Sequence, residues 1–347
     1  MANFQEEIIN WYLINKRDLP WRNTQDPYKI WLSEIILQQT RVQQGLPYYL
    51  KFLNAFPTIN DFAQASEQEV LSLWQGLGYY SRARNMRKAA MQIMESFNGE
   101  FPKTEKQLLS LSGVGKYSAA AIGSFSFKLP LAVVDGNVYR VLSRVFNMDT
   151  PIDTPQGQRA FQELASTLLP KLLPDTYNQA IMEFGALQCT PKSPDCPNCV
   201  LSAICMGRIE KNIDVLPVKI KSIKTRNRFF AYQVFINDEN RTIVQERGPK
   251  DIWQGLFEFP LMEFESEELT MNFINGEAAK ISAVSNVIKH KLTHQLIFAY
   301  FIVYRKSDLP IDLKPNQNRI PFSNIDSFPM SRLMVKFLES VNPILFA

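Results

Sequence analysis

Between residues 4 and 205, apolar side chains recur at three- and four-residue spacing, the period of a helix that lays one stripe against a core. Residues 29–39, 67–77, 83–96 and 156–169 carry this pattern most clearly, and no alternation of period two interrupts them. After Cys205 the texture changes. Residues 207–228 hold Lys211, Lys219, Lys221, Lys224, Arg226 and Arg228 around Pro217 with little apolar periodicity, which predicts a basic linker. Beyond it, residues 229–235, 242–245, 283–288 and 296–304 are short β-branched or aromatic runs that predict strands, and residues 330–341 predict a closing helix. The pattern predicts a mainly α first domain over 1–206 and a smaller α+β second domain over 229–347, with no solenoid repeat.

Composition changes this picture little. The 347 residues, 46% hydrophobic and 21% charged, suffice for two independent cores. No apolar run approaches the roughly twenty residues a membrane span needs, and residues 1–20 lack a basic start followed by an apolar run. A reducing, cytoplasmic or nucleoid-associated setting is expected. A net charge of +4 permits a polyanionic partner only if the cations gather on one face.

The four cysteines change it more. Cys189, Cys196, Cys199 and Cys205 form a C-x6-C-x2-C-x5-C cluster, with no cysteine elsewhere. A loop this short can turn four thiolates toward one centre, which favours a 4Fe-4S cluster. Zinc remains open, although its structural sites usually pair two C-x-x-C knuckles or add histidine, and disulfides are disfavoured by the expected compartment.

Both histidines, His290 and His294, lie in the second domain, so chemistry in the helical domain must rest on carboxylates. In a helix, Glu34 falls among Ile30, Trp31 and Leu37, where burial would raise its pKa and suit it to general-acid work. The plain alternative is an ion pair, for example with Arg41. Asp135, between an apolar run and residues 136–144, reads as a helix N-cap whose carboxylate stays ionised beside the helix amides. Gly113 and Gly115 directly precede a small-residue helix, a geometry that exposes backbone amides to an anion. A lone G-x-G is also an ordinary tight connection. Arg82, Arg84, Arg87 and Lys88 form a basic patch whose ordinary reading is a solvated helix face.

Six ordered motifs join these features: LPWR (19–22), WLSEIILQQT (31–40), LWQGLGYYSRARN (73–85), LSGVGKYSAAAI (111–122), VVDGNVYRVLSR (133–144) and YNQAIMEFGALQC (177–189). With the cysteine spacing they resemble the helix-hairpin-helix DNA glycosylases of the endonuclease III superfamily, and within it the MutY-type adenine glycosylases. The resemblance implies a helix-hairpin-helix over 111–125, an iron-sulfur loop over 189–205, and hydrolytic removal of adenine paired with 8-oxoguanine or guanine in double-stranded DNA by a monomeric enzyme. It implies that Glu34 protonates adenine N7 and that Asp135 stabilises the oxocarbenium-like sugar, with Tyr117 and Asn137 supporting them. By the same resemblance Trp21, Arg22 and Gln179 line the adenine pocket, and Gln39, Leu77 and Tyr79 fill the stack or meet the opposing base. Gly113, Gly115 and Lys192 would face phosphates.

Strand-cleaving relatives carry an amine nucleophile where this chain has Tyr117, and the neighbouring Lys116 is turned about 100° along the helix. A monofunctional glycosylase is therefore expected. The second domain resembles the MutT-like (Nudix) module at IWQGLFEFP (252–260) and HKLTHQL (290–296) but lacks a pyrophosphohydrolase carboxylate pattern, so recognition without hydrolysis is implied. Many relatives have F-S-H where this chain has Leu292, Thr293 and His294, which puts a threonine hydroxyl at the lesion-reading position. Two alternatives stay open: a lyase of the endonuclease III type acting on oxidised pyrimidines, and a non-catalytic cluster-bearing DNA sensor, which would not need Glu34 and Asp135 together.

Overall fold

A computed structural model describes residues 2–220, 225–306, 309 and 312–341. The chain forms two compact units, one from Met1–Gln64 and Lys88–Lys221, the other from Ala65–Arg87 and Ser222–Ala347.

The helices in chain order are α1 (Ala2–Asn15), α2 (Pro27–Ile36), α3 (Val42–Ala55), α4 (Ile59–Gln64), α5 (Glu67–Trp74), α6 (Ser81–Phe97), α7 (Glu105–Leu108), α8 (Lys116–Phe127), α9 (Gly136–Val145), α10 (Pro155–Leu168), α11 (Pro174–Leu187) and α12 (Met206–Ile209). Local chemistry starts several of them. Asp26 caps α2 ahead of Pro27, Thr154 caps α10 ahead of Pro155, and Ser66 with Glu69 forms a capping box on α5. In the first unit the apolar stripes of α1, α9, α10 and α11 meet in one core, with Trp11 edge-on to Phe184 at 5.0 Å. A second cluster joins α2 to α8 through Ile30, Ala120, Ala121 and Phe125, the alanines letting the helices approach closely. Helix α2 stops at Ile36, three residues before the predicted end, and Gln39 sits in the left-handed region at φ 56°.

In the second unit β1 (Arg226–Asn237), β2 (Arg241–Glu246), β3 (Phe257–Glu258), β4 (Leu261–Phe264), β5 (Ala283–Val284), β6 (Ile288–Lys291), β7 (Gln295–Lys306) and β8 (Gln317–Pro321) form two sheets, of order β4-β1-β7-β5 with β6 also on β7, and β3-β2-β8. The central pair β1 and β7 is parallel, and both are apolar on both faces, as expected for a strand covered on each side. Phe230, Tyr232, Val234 and Phe301 point to the core closed by Phe337 of α14 (Arg332–Val341), whereas Ala231, Tyr300 and Ile302 point to the core closed by Ile274 of α13 (Glu267–Gly276).

Two boundaries differ from the sequence pattern. Residues 65–87, read as part of the helical domain, belong to the second unit, where Arg84 Nη1 donates to Gln254 O at 2.6 Å and Tyr80 Oη to Met330 O at 3.3 Å. The predicted linker 207–228 is shortened at both ends. Residues 212–220 are held in the first unit: Leu216 is buried, its carbonyl accepts from Arg144 Nε, and Ile152 N donates to Val218 O. At the other end β1 begins at Arg226, and Arg228 is buried against Asp251 and Glu263. Both departures come from a few long-range contacts, which leave no periodic trace. Lys221 and Lys224 lie outside the described residues.

Candidate active site

Helix α2 turns Trp31, Leu32, Ile35 and Ile36 into the core, and the same rotation buries Glu34 to 8% exposure. Tyr117, in the first turn of α8, donates its hydroxyl to Glu34 Oε2 at 2.7 Å. Asp135 is the N-cap of α9: Oδ1 accepts from the amides of Asn137 at 2.8 Å and Val138 at 2.7 Å, and Oδ2 accepts from Asn137 Nδ2 at 2.7 Å. Glu34, Tyr117, Asp135, Trp21, Arg22 and Gln179 line one cleft of about 550 Å³. A smaller cleft of about 290 Å³ shares the first three and adds Gln38, Gln39 and Gly136. Tyr117 lines both; the exposed Lys116 lines neither.

The two carboxyls are electrostatically distinct. Burial raises the Glu34 pKa to about 7, against the Tyr117 hydrogen bond and the Arg22 charge and with help from the negative charge of Asp135. Burial also pushes Asp135 up, opposed by the Val138 and Asn137 donors and by Arg140. The sequence pattern had anticipated the helix amides but not this burial. Glu34 is thus a carboxyl built to hold a proton near neutrality, and Asp135 one whose anion is solvated by three N–H groups.

Five further residues, Arg17, Arg140, Arg144, Glu183 and Gly185, are not among the sequence-predicted site residues. Glu183 of α11, 1% exposed, binds Arg17 and Arg22 through both oxygens at 2.6 to 2.8 Å. Arg140 of α9 spans the site: Nη2 donates to Asn137 Oδ1 at 2.8 Å and Gly185 O at 2.6 Å, and Nε donates to Cys189 O at 2.7 Å. Gly185 lies against the first turn of α9, where a Cβ would stand 2.7 Å from Asn137 Cβ and 2.9 Å from its carbonyl oxygen. Arg140 and Arg144, two arginines four apart among Val138, Val141, Leu142 and Val145, were the available signal.

Cys189, Cys196, Cys199 and Cys205 line one small cavity, with Arg144 Nη1 3.5 Å from Cys189 Sγ and its other donors on the carbonyls of Thr190, Pro191 and Leu216. Four thiols on one cavity, with a guanidinium N–H on one sulfur, suit a thiolate-bound centre by their chemistry. Among the described residues, no three His, Cys, Asp or Glu side chains are gathered into a group that could hold a metal ion. Lys192 is exposed on the same loop. Gly113, at φ 76°, makes the turn into α8, and Gly115 caps that helix without a side-chain hydrogen bond, leaving its first amides open.

The remaining candidates lie in the second unit, on a cavity of about 500 Å³ lined by Leu77, Tyr79, Trp253, His290, Thr293 and His294 among others. Gly76, Gly78 and Tyr79 all take positive φ, which lifts the Tyr79 side chain outward to 48% exposure. Its hydroxyl meets Thr293 Oγ1 at 2.5 Å. Arg82 stacks on Trp74 and Tyr79, Arg84 binds Gln254 O and Arg87 binds Ala65 O, so three of the four cations read as a solvated face are structural. His294 is exposed, and its carbonyl accepts from Arg226 N.

Residues 32–167 match the HhH-GPD superfamily of base excision DNA repair proteins, and residues 231–340 match the NUDIX domain. An adenine DNA glycosylase of Buchnera aphidicola is 32% identical over 331 residues, covering 93% of this chain and 92% of that protein. The adenine DNA glycosylase of Homo sapiens is 40% identical over 214 residues, 59% of this chain and 39% of that one. The structure of a thermostable thymine-DNA glycosylase superposes with a TM-score of 0.56 at 30% identity, covering 60% of this chain and 96% of that one. Sequence relatedness over nearly the whole length, together with the helix-hairpin-helix and Nudix-like folds, places this chain in the adenine DNA glycosylase (MutY) family of the HhH-GPD superfamily, DNA N-glycosylases of base-excision repair.

Proposed function

We propose that this glycosylase hydrolyses the N-glycosidic bond of adenine paired with 8-oxoguanine or guanine, with Glu34 as general acid and Asp135 as electrostatic partner of the sugar. The observation that carries the reading is the pair of carboxyls on one cleft in different hydrogen-bonding environments: Glu34 buried, raised to about 7 and met by a single O–H donor, Asp135 held as acceptor of three N–H donors that oppose the upward push of burial. Protonation at adenine N7 turns the base into a neutral leaving group, and the positive charge that then grows on the sugar meets a fixed anion. Tyr117 orients the Glu34 carboxyl; Asn137 orients that of Asp135. Trp21, Arg22 and Gln179 form the base-side wall, and Gln39, Leu77 and Tyr79 take the space left in the stack, offsetting the few kcal/mol of base eversion. Gly113, Gly115 and Lys192 meet phosphates through amides and charge. Cys189, Cys196, Cys199 and Cys205 would hold a 4Fe-4S cluster, which would brace the loop that carries Lys192.

The chain works as a monomer on the duplex and, with Tyr117 in place of an amine, forms no Schiff base. Incubation with duplex DNA holding A opposite 8-oxoguanine, then alkali, should cleave at A, and borohydride should trap little covalent adduct. Binding without cleavage would favour the sensor, and efficient trapping lost on Lys116→Ala would favour the lyase. The same preparation should contain about four iron and four sulfide per chain; zinc instead would remove the cluster.

The lesion-facing side rests on the Tyr79 and Thr293 pair, with His294 beside it on the cavity wall. Thr293→Val keeps the shape and deletes the hydroxyl. Its preference for 8-oxoguanine over guanine should fall about fivefold, the worth of one neutral hydrogen bond of roughly 1 kcal/mol. An unchanged ratio of the two rates would strip Thr293 of that role.

A further inference from the structure

We propose that Glu183 is a positioning residue: it clamps Arg17 and Arg22 together on the base-side wall of the cleft and compensates their charge beside Glu34. The inference rests on the reading of Glu34 as the acid. Glu183 Oε1 accepts from Arg17 N at 3.0 Å, Arg17 Nε at 2.8 Å and Arg22 Nη1 at 2.8 Å; Oε2 accepts from Arg17 Nη2 and Arg22 Nη2, both at 2.6 Å. Arg22 Nη1 also donates to Arg17 O at 3.0 Å, which closes the cluster. Two bidentate pairs on a carboxylate 1% exposed leave little freedom for either guanidinium. Burial would raise the Glu183 pKa, but the donors from Arg17 and Arg22 hold it down to about 2, so the clamp stays charged through the neutral range.

The placement matters because of what else faces Glu34. Tyr117 from α8 and Asp135 from the cap of α9 act on it directly, and Arg22, from the short helical turn Pro20–Arg22, is the cation that favours its ionised form. Arg17, Arg41 before α3, Arg140 of α9 and Glu183 itself line the same cleft. An acid that must arrive protonated is poorly served by bare guanidinium groups at low dielectric. Glu183 supplies the missing anion while leaving Arg22 in place as part of the wall.

Glu183→Gln keeps size and hydrogen-bonding capacity but removes the compensating charge. In single-turnover excision measured across pH, the wild-type rate should fall as pH rises through the Glu34 pKa. Glu183→Gln should move that descending limb about one unit toward acid, making the deficit about tenfold larger at pH 8 than at pH 5.5. Arg22→Gln combined with Glu183→Gln should return the limb to its wild-type position or beyond it toward alkali. Arg17→Gln, which removes a cation and leaves the Glu183–Arg22 pair, should shift it toward alkali, and this variant carries the test if Glu183→Gln does not fold. A purely structural clamp would lower the rate equally at every pH, and an unmoved limb in Glu183→Gln, or in Arg17→Gln, overturns the proposal. If instead Glu34→Gln keeps wild-type activity, the acid assignment itself has failed.

Discussion

Glu34→Gln is expected to lose about a thousandfold in single-turnover adenine excision, the range general-acid catalysis usually supplies, while folding normally. Glutamine keeps an oxygen to accept the Tyr117 hydroxyl, now 2.7 Å from Glu34 Oε2, so the side-chain packing of α2 against α8 survives. What it cannot do is deliver a proton. The stability of the two proteins gives a second readout with a definite sign. The Glu34 pKa is raised from 4.5 to about 7 in the folded chain. The folded state therefore binds the proton more tightly than the unfolded one, and wild-type stability falls as pH rises from about 4.5 through 7. Above pH 7 the buried anion costs on the order of 3 kcal/mol, at 1.36 kcal/mol per unit. Glu34→Gln avoids that cost, so it should be the more stable protein at pH 8 and lose the advantage at pH 4. Denaturant melts at the two pH values check this. A variant that is inactive but shows no pH-dependent gain would mean that Glu34 is not the buried, proton-holding group described above.

The second large effect is expected away from any reacting group. In Gly185→Ala the new methyl meets Asn137 Cβ at 2.7 Å and the Asn137 backbone at 2.9 to 3.0 Å, contacts that backbone cannot relieve by rotating a side chain. Helix α11 and the first turn of α9 must part by several tenths of an ångström. Overpacking of this kind costs about 1–3 kcal/mol, and the displaced residue is the one that holds Asp135 through both its amide and its Nδ2. Arg140 also loses its seat on the Gly185 carbonyl. A misplacement on the order of 1 Å at a reacting group costs about a hundredfold in rate, so a shift of several tenths of an ångström at the carboxylate proposed to face the sugar should lower excision on the order of tenfold together with a lower Tm. Wild-type rate and Tm in this variant would show that α9 tolerates the shift and that the Asp135 geometry is not critical.

How far the site could be read from the chain depends on the range of the interactions that build it. The start of α9 was legible because a cap is a bond within three residues, Asp135 acting on the amides two and three positions ahead; Asp26, Ser66 and Thr154, not singled out in the sequence, cap α2, α5 and α10 in the same way. The strands β1 and β7 were legible because covering both faces of a strand demands an unbroken apolar run. The departures lie where a few long-range contacts outweigh local pattern. Residues 65–87 look like any amphipathic helical stretch, yet Tyr80 and Arg84 tie them to Met330 and Gln254, more than 160 positions away.

Alone, the sequence determined the helical and α+β halves, the cysteine spacing and the presence of two carboxylates in suitable motifs, since period, caps and ligand spacing are properties of neighbouring residues. It could not supply the proton affinities of those carboxylates. They were decided by tertiary structure: Tyr117 reaches Glu34 across 83 positions, Arg17 reaches Glu183 across 166, and burial strips water from Glu34 and Glu183. Desolvation and charge pairing act through space and not along the chain, so only the packed molecule raises both carboxyls and sets a single O–H donor on one against three N–H donors on the other.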